Sequence, residues 1–413
     1  MTEVLDKAAK GWPSRWWDRP VGSIGELNLN VGRGDLPLPV LTLSRDAVDH
    51  NIAVMTRWCK DHGVSLAPHI KTSLAPDLIR RQIADGAWGA TVSTARQARV
   101  ALVGGARRLL VANEIVDPHD LDYLLALEAD ERAAVTVFVD SPEGLAVLEC
   151  AASHRGQRIS VLVEIGAPGM RTGVRDPTAF VELLDRVAGS RHADLAGVAA
   201  FEGVHMRAPG SHATDPMRAF VWRVGEMVEE ALERKQLQPG SLFSAGGSIG
   251  FDLVADRFGK LGLSIVLRSG CYLTHDHGLY QSASPLSGQS DQEFGPDSLT
   301  PALELWAHIV STPEPGIAIV SFGRRDANEE AGRPLPLAIA GPSGVRRAIH
   351  AWVVDRMWDQ HARLSSASGA SSLAVGDVVV FGISHPCTVM DKWRWIPEID
   401  RDGNVVSAVG TWF

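Results

Sequence analysis

Between residues 39 and 270 the chain repeats one unit, a short apolar β-rich run followed by an amphipathic stretch with helical spacing. The runs lie at 39–43, 64–70, 88–92, 109–111, 135–139, 159–165, 195–201, 241–244 and 263–267. Ser44 is placed to cap a helix with Val48, Ile52, Met55 and Cys59 on one face, and a second long helical pattern covers 216–235. Strands separated by helices pair in parallel through crossovers. Nine such runs exceed the roughly six of an open dinucleotide-type sheet and suit a closed (β/α)8 TIM-type barrel with one strand to spare.

After residue 298 the pattern changes to apolar runs at 303–310, 316–322, 335–339, 351–354, 375–382 and 405–410, separated by Gly and Pro turns. Without long helices between them, they predict a C-terminal antiparallel β domain. The expected organisation is an N-terminal arm over 1–38, a barrel over 39–290 and a β domain over 298–413. A polar joint lies at 282–298, and a Ser-rich surface loop at 365–372. Trp12, Trp16 and Trp17 are expected to pack the arm onto the body or a second subunit. With 413 residues, 45% hydrophobic and 22% charged, the chain can fill such cores.

Lys and Arg number 40 against 49 Asp and Glu, a formal charge of -9, so the chain lacks the cation excess that a nucleic-acid partner requires. No run approaches the ~18 apolar residues of a membrane span, and the N-terminus lacks a signal-peptide run. A cytoplasmic protein is expected. Cys59, Cys150, Cys271 and Cys387 form no C-x-x-C pair, which argues against a disulfide framework or a zinc finger. Cys387 differs from the others in having His385 two places before it; the rest read as buried small apolar residues.

The chemistry-bearing residues gather at run ends. His69 and Lys71 fall two apart at the C-terminal end of a barrel strand, the end that carries the chemistry in barrel enzymes. A lysine there can form a Schiff base; a plain surface lysine is the alternative. The loop Ser244-Ala245-Gly246-Gly247-Ser248 and the turn Arg268-Ser269-Gly270-Cys271-Tyr272 place glycine amides where late barrel loops hold phosphate. Each alone is an ordinary βα turn. Together, opposite a rim lysine, they favour a phosphorylated cofactor such as pyridoxal phosphate. Arg171 follows the sixth run and Glu202 ends the seventh, so both face the same rim, either as site residues or as partners in a salt bridge across the barrel mouth. His385 and Cys387 on extended backbone suit a zinc ion with open positions, or a core cysteine beside a satisfied histidine. Asp391 or His361 would supply a third ligand or support one of the two through a hydrogen bond; spacing does not choose between them. His205, His212, His275 and His277 follow no pattern.

Taken together, Pro68-His69-Ile70-Lys71-Thr72, residues 82–89, 164–174, 244–250 with 269–272, and His385-Pro386-Cys387 resemble the D-serine dehydratase and D-threonine aldolase group of pyridoxal-phosphate enzymes. The group shares the alanine-racemase-like fold, fold type III, and the resemblance runs from about Pro39 to the C-terminus. It implies pyridoxal phosphate on Lys71, with His69 and Glu202 beside it among the catalytic residues. Arg171, Phe201, Ser244, Gly246, Gly247, Ser248, Gly270, Cys271 and Tyr272 would lie around the cofactor. A divalent metal on His385 and Cys387 would be zinc, with Mn2+ or Mg2+ as alternatives. The resemblance also implies that the run at 39–43 leaves the barrel for the β domain, and that the protein is a homodimer.

His-x-Cys is the dehydratase-like form of the metal pair, and His-x-Asp the aldolase-like one. The implied reaction is elimination of the β-hydroxyl of a D-3-hydroxy amino acid to a 2-oxo acid and ammonia. The alternatives are retro-aldol cleavage to glycine and an aldehyde, racemisation with Tyr272 or Tyr280 as a second base, and a non-catalytic cofactor carrier. The chain departs from the group at Ala67, where an arginine is common, at Ser73 for histidine, at Phe201 for tyrosine, at Gln360-His361-Ala362 for Glu-His-Gly, and in the unusual stretch 321–326.

Overall fold

The computed structural model describes residues 4–129, 133–205, 216–287, 296–341, 345–349, 351–366 and 373–413. His212, most of the Ser-rich loop and the centre of the polar joint lie outside them. The chain divides into two compact units, one built from 55–270 with 283–285, the other from 1–54, 271–282 and 286–413.

The strands in chain order are β1 (Val40–Ser44), β2 (Ser65–Leu66), β3 (Ala90–Val92), β4 (Arg108–Val111), β5 (Ala134–Val139), β6 (Ile159–Ile165), β7 (Ala193–Ala200), β8 (Leu242–Ala245) and β9 (Ser264–Leu267). Interleaved are α1 (Arg45–Asp61), α2 (Pro76–Ala84), α3 (Ala95–Val103), α4 (Pro118–Ala129), α5 (Pro142–His154), α6 (Pro177–Ala188), α7 (Pro216–Glu233) and α8 (Phe251–Phe258). Local sequence starts these helices. Thr94, Ser141 and Asp176 each accept a bond from the amide three residues on, and Pro76, Pro142 and Pro177 stand in the first turn, where a missing N–H costs nothing. Ser44 caps α1 in the same way, accepting from the Ala47 amide at 3.3 Å.

Among the described residues of the first unit, eight parallel strands run in the order β2-β9-β8-β7-β6-β5-β4-β3. The barrel is closed by single bonds, from the Trp88 amide to Leu66 O at 2.8 Å and the Thr91 amide to Pro68 O at 2.9 Å. Ala67 just past β2, Leu110 on β4, Phe138 on β5, Leu162 on β6, Ala199 on β7 and Val266 on β9 fill the interior. β2 is two residues long where a run over 64–70 was expected. Pro68 has no amide to give a ladder, and a 3-10 turn starts at Ile70. His69 and Lys71 are therefore not alternate residues of one strand: His69 is extended and Lys71 sits on the turn.

The second unit holds a ten-stranded sheet built from β1 and β10 (Leu303–Glu314), β11 (Ile317–Val320), β12 (Leu335–Ala340), β13 (Arg346–Ala348), β14 (Val353–Met357), β15 (Ala362–Ser365), β16 (Val378–Gly382), β17 (Trp395–Ile399) and β18 (Val405–Gly410). β1 lies in its middle, antiparallel to β10 and parallel to β17, so the sheet is antiparallel except at that pair. Sequence periodicity did not mark β13, β15 or β17; Pro397 inside β17 argues locally against a strand. The short helix α9 (Leu279–Ala283) follows the Cys271–Leu273 turn. Trp12 is buried and donates its indole N–H to Trp395 O at 3.1 Å, which fixes the arm to this unit's body.

Candidate active site

In the barrel unit, Lys71 is exposed at the C-terminal end of β2. His69 meets the Ser93 hydroxyl through Nε2 at 3.2 Å. Its Nδ1 is buried with no partner. Burial first, then the charges of Lys71, Arg268 and Arg171, hold this imidazole well below its usual range, so it is neutral at physiological pH. Arg171 lies over the Phe201 ring, 4.7 Å from its centroid.

Glu202 is 1% exposed. Its carboxylate accepts the Gly246 amide at 3.0 Å and the Gly247 amide at 2.6 Å. Two of the amides expected to face phosphate are thus bonded to a carboxylate, so this residue holds the loop rather than reaching outward. Gly246 has φ +83°, and a Cβ there would stand 2.5 Å from Leu267 Cδ2; the position needs glycine on both counts. Behind the loop, buried Arg268 donates to Ser244 Oγ at 3.0 Å and Ala200 O at 2.7 Å, and its guanidinium lies over Phe138 at 5.4 Å. The Ser269 hydroxyl donates to Gly246 O at 3.1 Å.

Sequence reading did not single out the carboxyl pair Glu114 and Glu164. Glu164, on β6, is buried. Glu114, three residues past β4, bonds to it, although no donor from another residue reaches either Glu114 oxygen. Two ionised carboxylates would repel. Burial, then the Glu164 charge, pushes the Glu114 carboxyl up to about 8, and a protonated Glu114 donating to Glu164 turns that repulsion into a hydrogen bond. In the sequence only the place of Glu164 at the head of the 164–174 segment hints at this pair.

In the β unit, the His385-Pro386-Cys387 turn follows β16. Asn328 Nδ2 donates to His385 O at 3.3 Å and also bonds to the Thr388 hydroxyl. Cys271 Sγ lies 3.3 Å from Cys387 Sγ, and neither is in a disulfide. The Tyr280 side chain bonds to Cys271, and burial with the neighbouring sulfurs drives its hydroxyl pKa far upward. The rings of Tyr280 and His385 are 5.4 Å apart. Asp276 accepts the amides of Gly278 at 2.8 Å and Tyr280 at 2.9 Å, opening α9; burial pushes its carboxyl up to about 8. The suggested third ligands stand apart from this cluster: Asp391 is exposed and paired with Lys392 at 3.7 Å, and His361 is exposed before β15. Among the described residues no three His, Cys, Asp or Glu side chains form a ready ligand cage. Of the cysteines expected to be buried, Cys59 and Cys271 are, whereas Cys150 is exposed.

A parallel barrel with its lysine after the first barrel strand, together with a β unit carrying a His-x-Cys turn, defines an enzyme of alanine-racemase-like architecture. Residues 43–263 match the family described as alanine racemase, N-terminal domain, and residues 302–399 match the putative serine dehydratase domain. The chain belongs to the alanine racemase family, fold type III of the pyridoxal-phosphate enzymes. It is 26% identical to D-threonine aldolase of Arthrobacter sp over 86% of each chain. It is 30% identical to D-threo-3-hydroxyaspartate dehydratase of Delftia sp. strain HT23 over 41% of this chain and 44% of that one. The structure of D-threonine aldolase from Filomicrobium marinum matches with a TM-score of 0.78 at 25% identity, covering 93% of this chain and 96% of that one. Carbon–carbon cleavage and elimination are thus both represented among the relatives. No helix among the described residues is long and apolar enough to cross a membrane.

Proposed function

We propose that the protein is a pyridoxal-phosphate- and divalent-metal-dependent lyase of D-3-hydroxy amino acids that eliminates the β-hydroxyl, giving a 2-oxo acid and ammonia. The orphaned, buried Nδ1 of neutral His69 beside an exposed Lys71 fits a planar, partly anionic group at the barrel rim. Lys71 would hold the cofactor covalently, Arg171 would face its oxygen substituents, and Ser248 and Gly270 would line its phosphate, whereas the buried Ser244 hydroxyl is taken up by Val266 O and Arg268 behind the loop. Bound pyridoxal phosphate supplies an electron sink for a carbanion at Cα. Once the substrate's amine has replaced it on the cofactor, the freed Lys71 amine would take the Cα proton. His69, fixed through Ser93, would turn its unpartnered Nδ1 to the cofactor, and Glu202 positions the glycine loop.

The observation that favours elimination is the sulfur at Cys387. Nitrogen and sulfur donors suit zinc rather than Mn2+ or Mg2+. A metal held by His385 and Cys387 would act as a Lewis acid for a departing hydroxide. Because a thiolate donates more charge than a carboxylate, a metal held through Cys387 would be the weaker promoter of hydroxyl deprotonation, which would disfavour retro-aldol cleavage by about tenfold. Cleavage to glycine and an aldehyde is the second reading, favoured by the aldolase likeness over 86% of the chain. Family resemblance supports a homodimer, which light scattering of the purified protein would test. Incubation with D-threonine, D-serine and D-3-hydroxyaspartate, assaying oxo acid and glycine separately, decides the reaction. Oxo acid and ammonia are expected, and stoichiometric glycine would establish the aldolase.

A further inference from the structure

Cys271 and Cys387 are 116 residues apart in sequence, yet their sulfurs lie 3.3 Å apart. The approach does not come from a loose loop. The His277 amide donates to Ile383 O at 2.8 Å and the Leu279 amide to Ser384 O at 3.0 Å, which locks the segment after Cys271 to the end of β16. Gly382 is bare where the His277 ring rests: a Cβ there would stand 2.4 Å from the ring's Cγ. Cys271 itself is 5% exposed on its 3-10 turn, and Tyr280 steadies its sulfur.

The separation discriminates among the uses of two sulfurs. A disulfide needs about 2.05 Å, so bonding would require the two sulfurs to close by more than an ångström. Two thiolates on one tetrahedral zinc, each at about 2.3 Å, lie about 3.8 Å apart. The observed spacing is within half an ångström of that. Cys59 is the contrast: it is buried alone on α1, and burial pushes its thiol up to about 12, as expected of an inert core cysteine.

We propose that Cys271 is a third protein ligand of the metal, joining Cys387 and His385 in a Cys2His set. The proposal rests on the metal-dependent reading above and deepens it. Such a set leaves the fourth tetrahedral position for an exchangeable ligand, the arrangement of catalytic rather than structural zinc. It also sharpens selectivity, because two thiolates bind zinc strongly and Mg2+ or Mn2+ poorly. The three side chains do not yet form a cage, so the His385 imidazole would have to turn to the sulfur pair as metal binds, on a turn whose backbone Asn328 already holds.

Zinc K-edge X-ray absorption on the purified, reduced holoenzyme tests this without reference to turnover. Two sulfur scatterers per zinc at about 2.3 Å are expected, falling to one in Cys271→Ser and one in Cys387→Ser. Chelator competition should show Cys271→Ser losing more zinc affinity than the ~10–100-fold cost of removing a group that merely supports a ligand. Bound zinc with a single sulfur in the wild-type protein would overturn the inference while leaving the His385–Cys387 site standing. A wild-type protein that binds no stoichiometric zinc would bring down both readings. A Cys271–Cys387 disulfide found by peptide mass mapping of protein kept in reductant would also overturn it. The wild-type measurement decides even if the Cys271→Ser chain does not fold.

Discussion

Lys71 is one lysine among several near the barrel sequence, and its place on the turn after β2 separates it from Lys60 at the end of α1 and from Lys260. Borohydride reduction of the holoenzyme followed by peptide mapping should leave the cofactor on Lys71. Label on Lys60 or Lys260 would move the site. Glu114 carries a separate, pH-dependent signature. Its folded-state carboxyl titrates near 8, against about 4.3 in an unfolded chain. Between these values the native state keeps a proton that the unfolded state has released, so its contribution to stability is present at pH 4 and is lost as pH rises through 8. Glu114→Gln, which mimics the protonated acid, should make stability less dependent on pH over that window. The melting temperature of the variant should exceed that of the wild type increasingly towards pH 8. Parallel curves would show that Glu114 is ionised throughout.

At the scale of elements, the loop after β8 carries the most constraint per residue. Gly246 combines a left-handed backbone with contact against Leu267 from β9, and its amide belongs to Glu202. Gly246→Ala would add about 1–2 kcal/mol of backbone strain and push the loop off β9. A lower melting temperature should be accompanied by weaker uptake of pyridoxal phosphate in a spectroscopic titration. Lost stability with unchanged cofactor affinity would show that the loop does not line the cofactor. The same constraint explains the carboxylate: each charge-assisted bond from Glu202 contributes about 1.5–3 kcal/mol, enough to hold a glycine-rich segment that would otherwise sample many conformations.

For the whole molecule, cofactor and metal are assigned to residues of different compact units, so the two should be separable by experiment. Exhaustive chelation should abolish turnover of a D-3-hydroxy amino acid while leaving the cofactor's visible absorption, and zinc should restore activity. Full activity after metal removal, confirmed by metal analysis, would make His385 and Cys387 core residues. Much of the architecture was legible in the chain. Alternating runs specify parallel strands with crossovers, proline and capping residues mark helix starts, and a lysine after the first barrel strand falls at the chemically useful rim, because all of these depend on neighbours within a few residues. The partners across space were not legible. The five residues of β1 read like any barrel strand, yet they pair with β10 and β17; Glu202 bonds amides 44 and 45 residues away; and Cys271 meets Cys387 across 116. Local periodicity records that a strand is buried or a cysteine apolar, whereas the choice of partner is made only when the closed barrel and the ten-stranded sheet fix which distant backbones lie side by side.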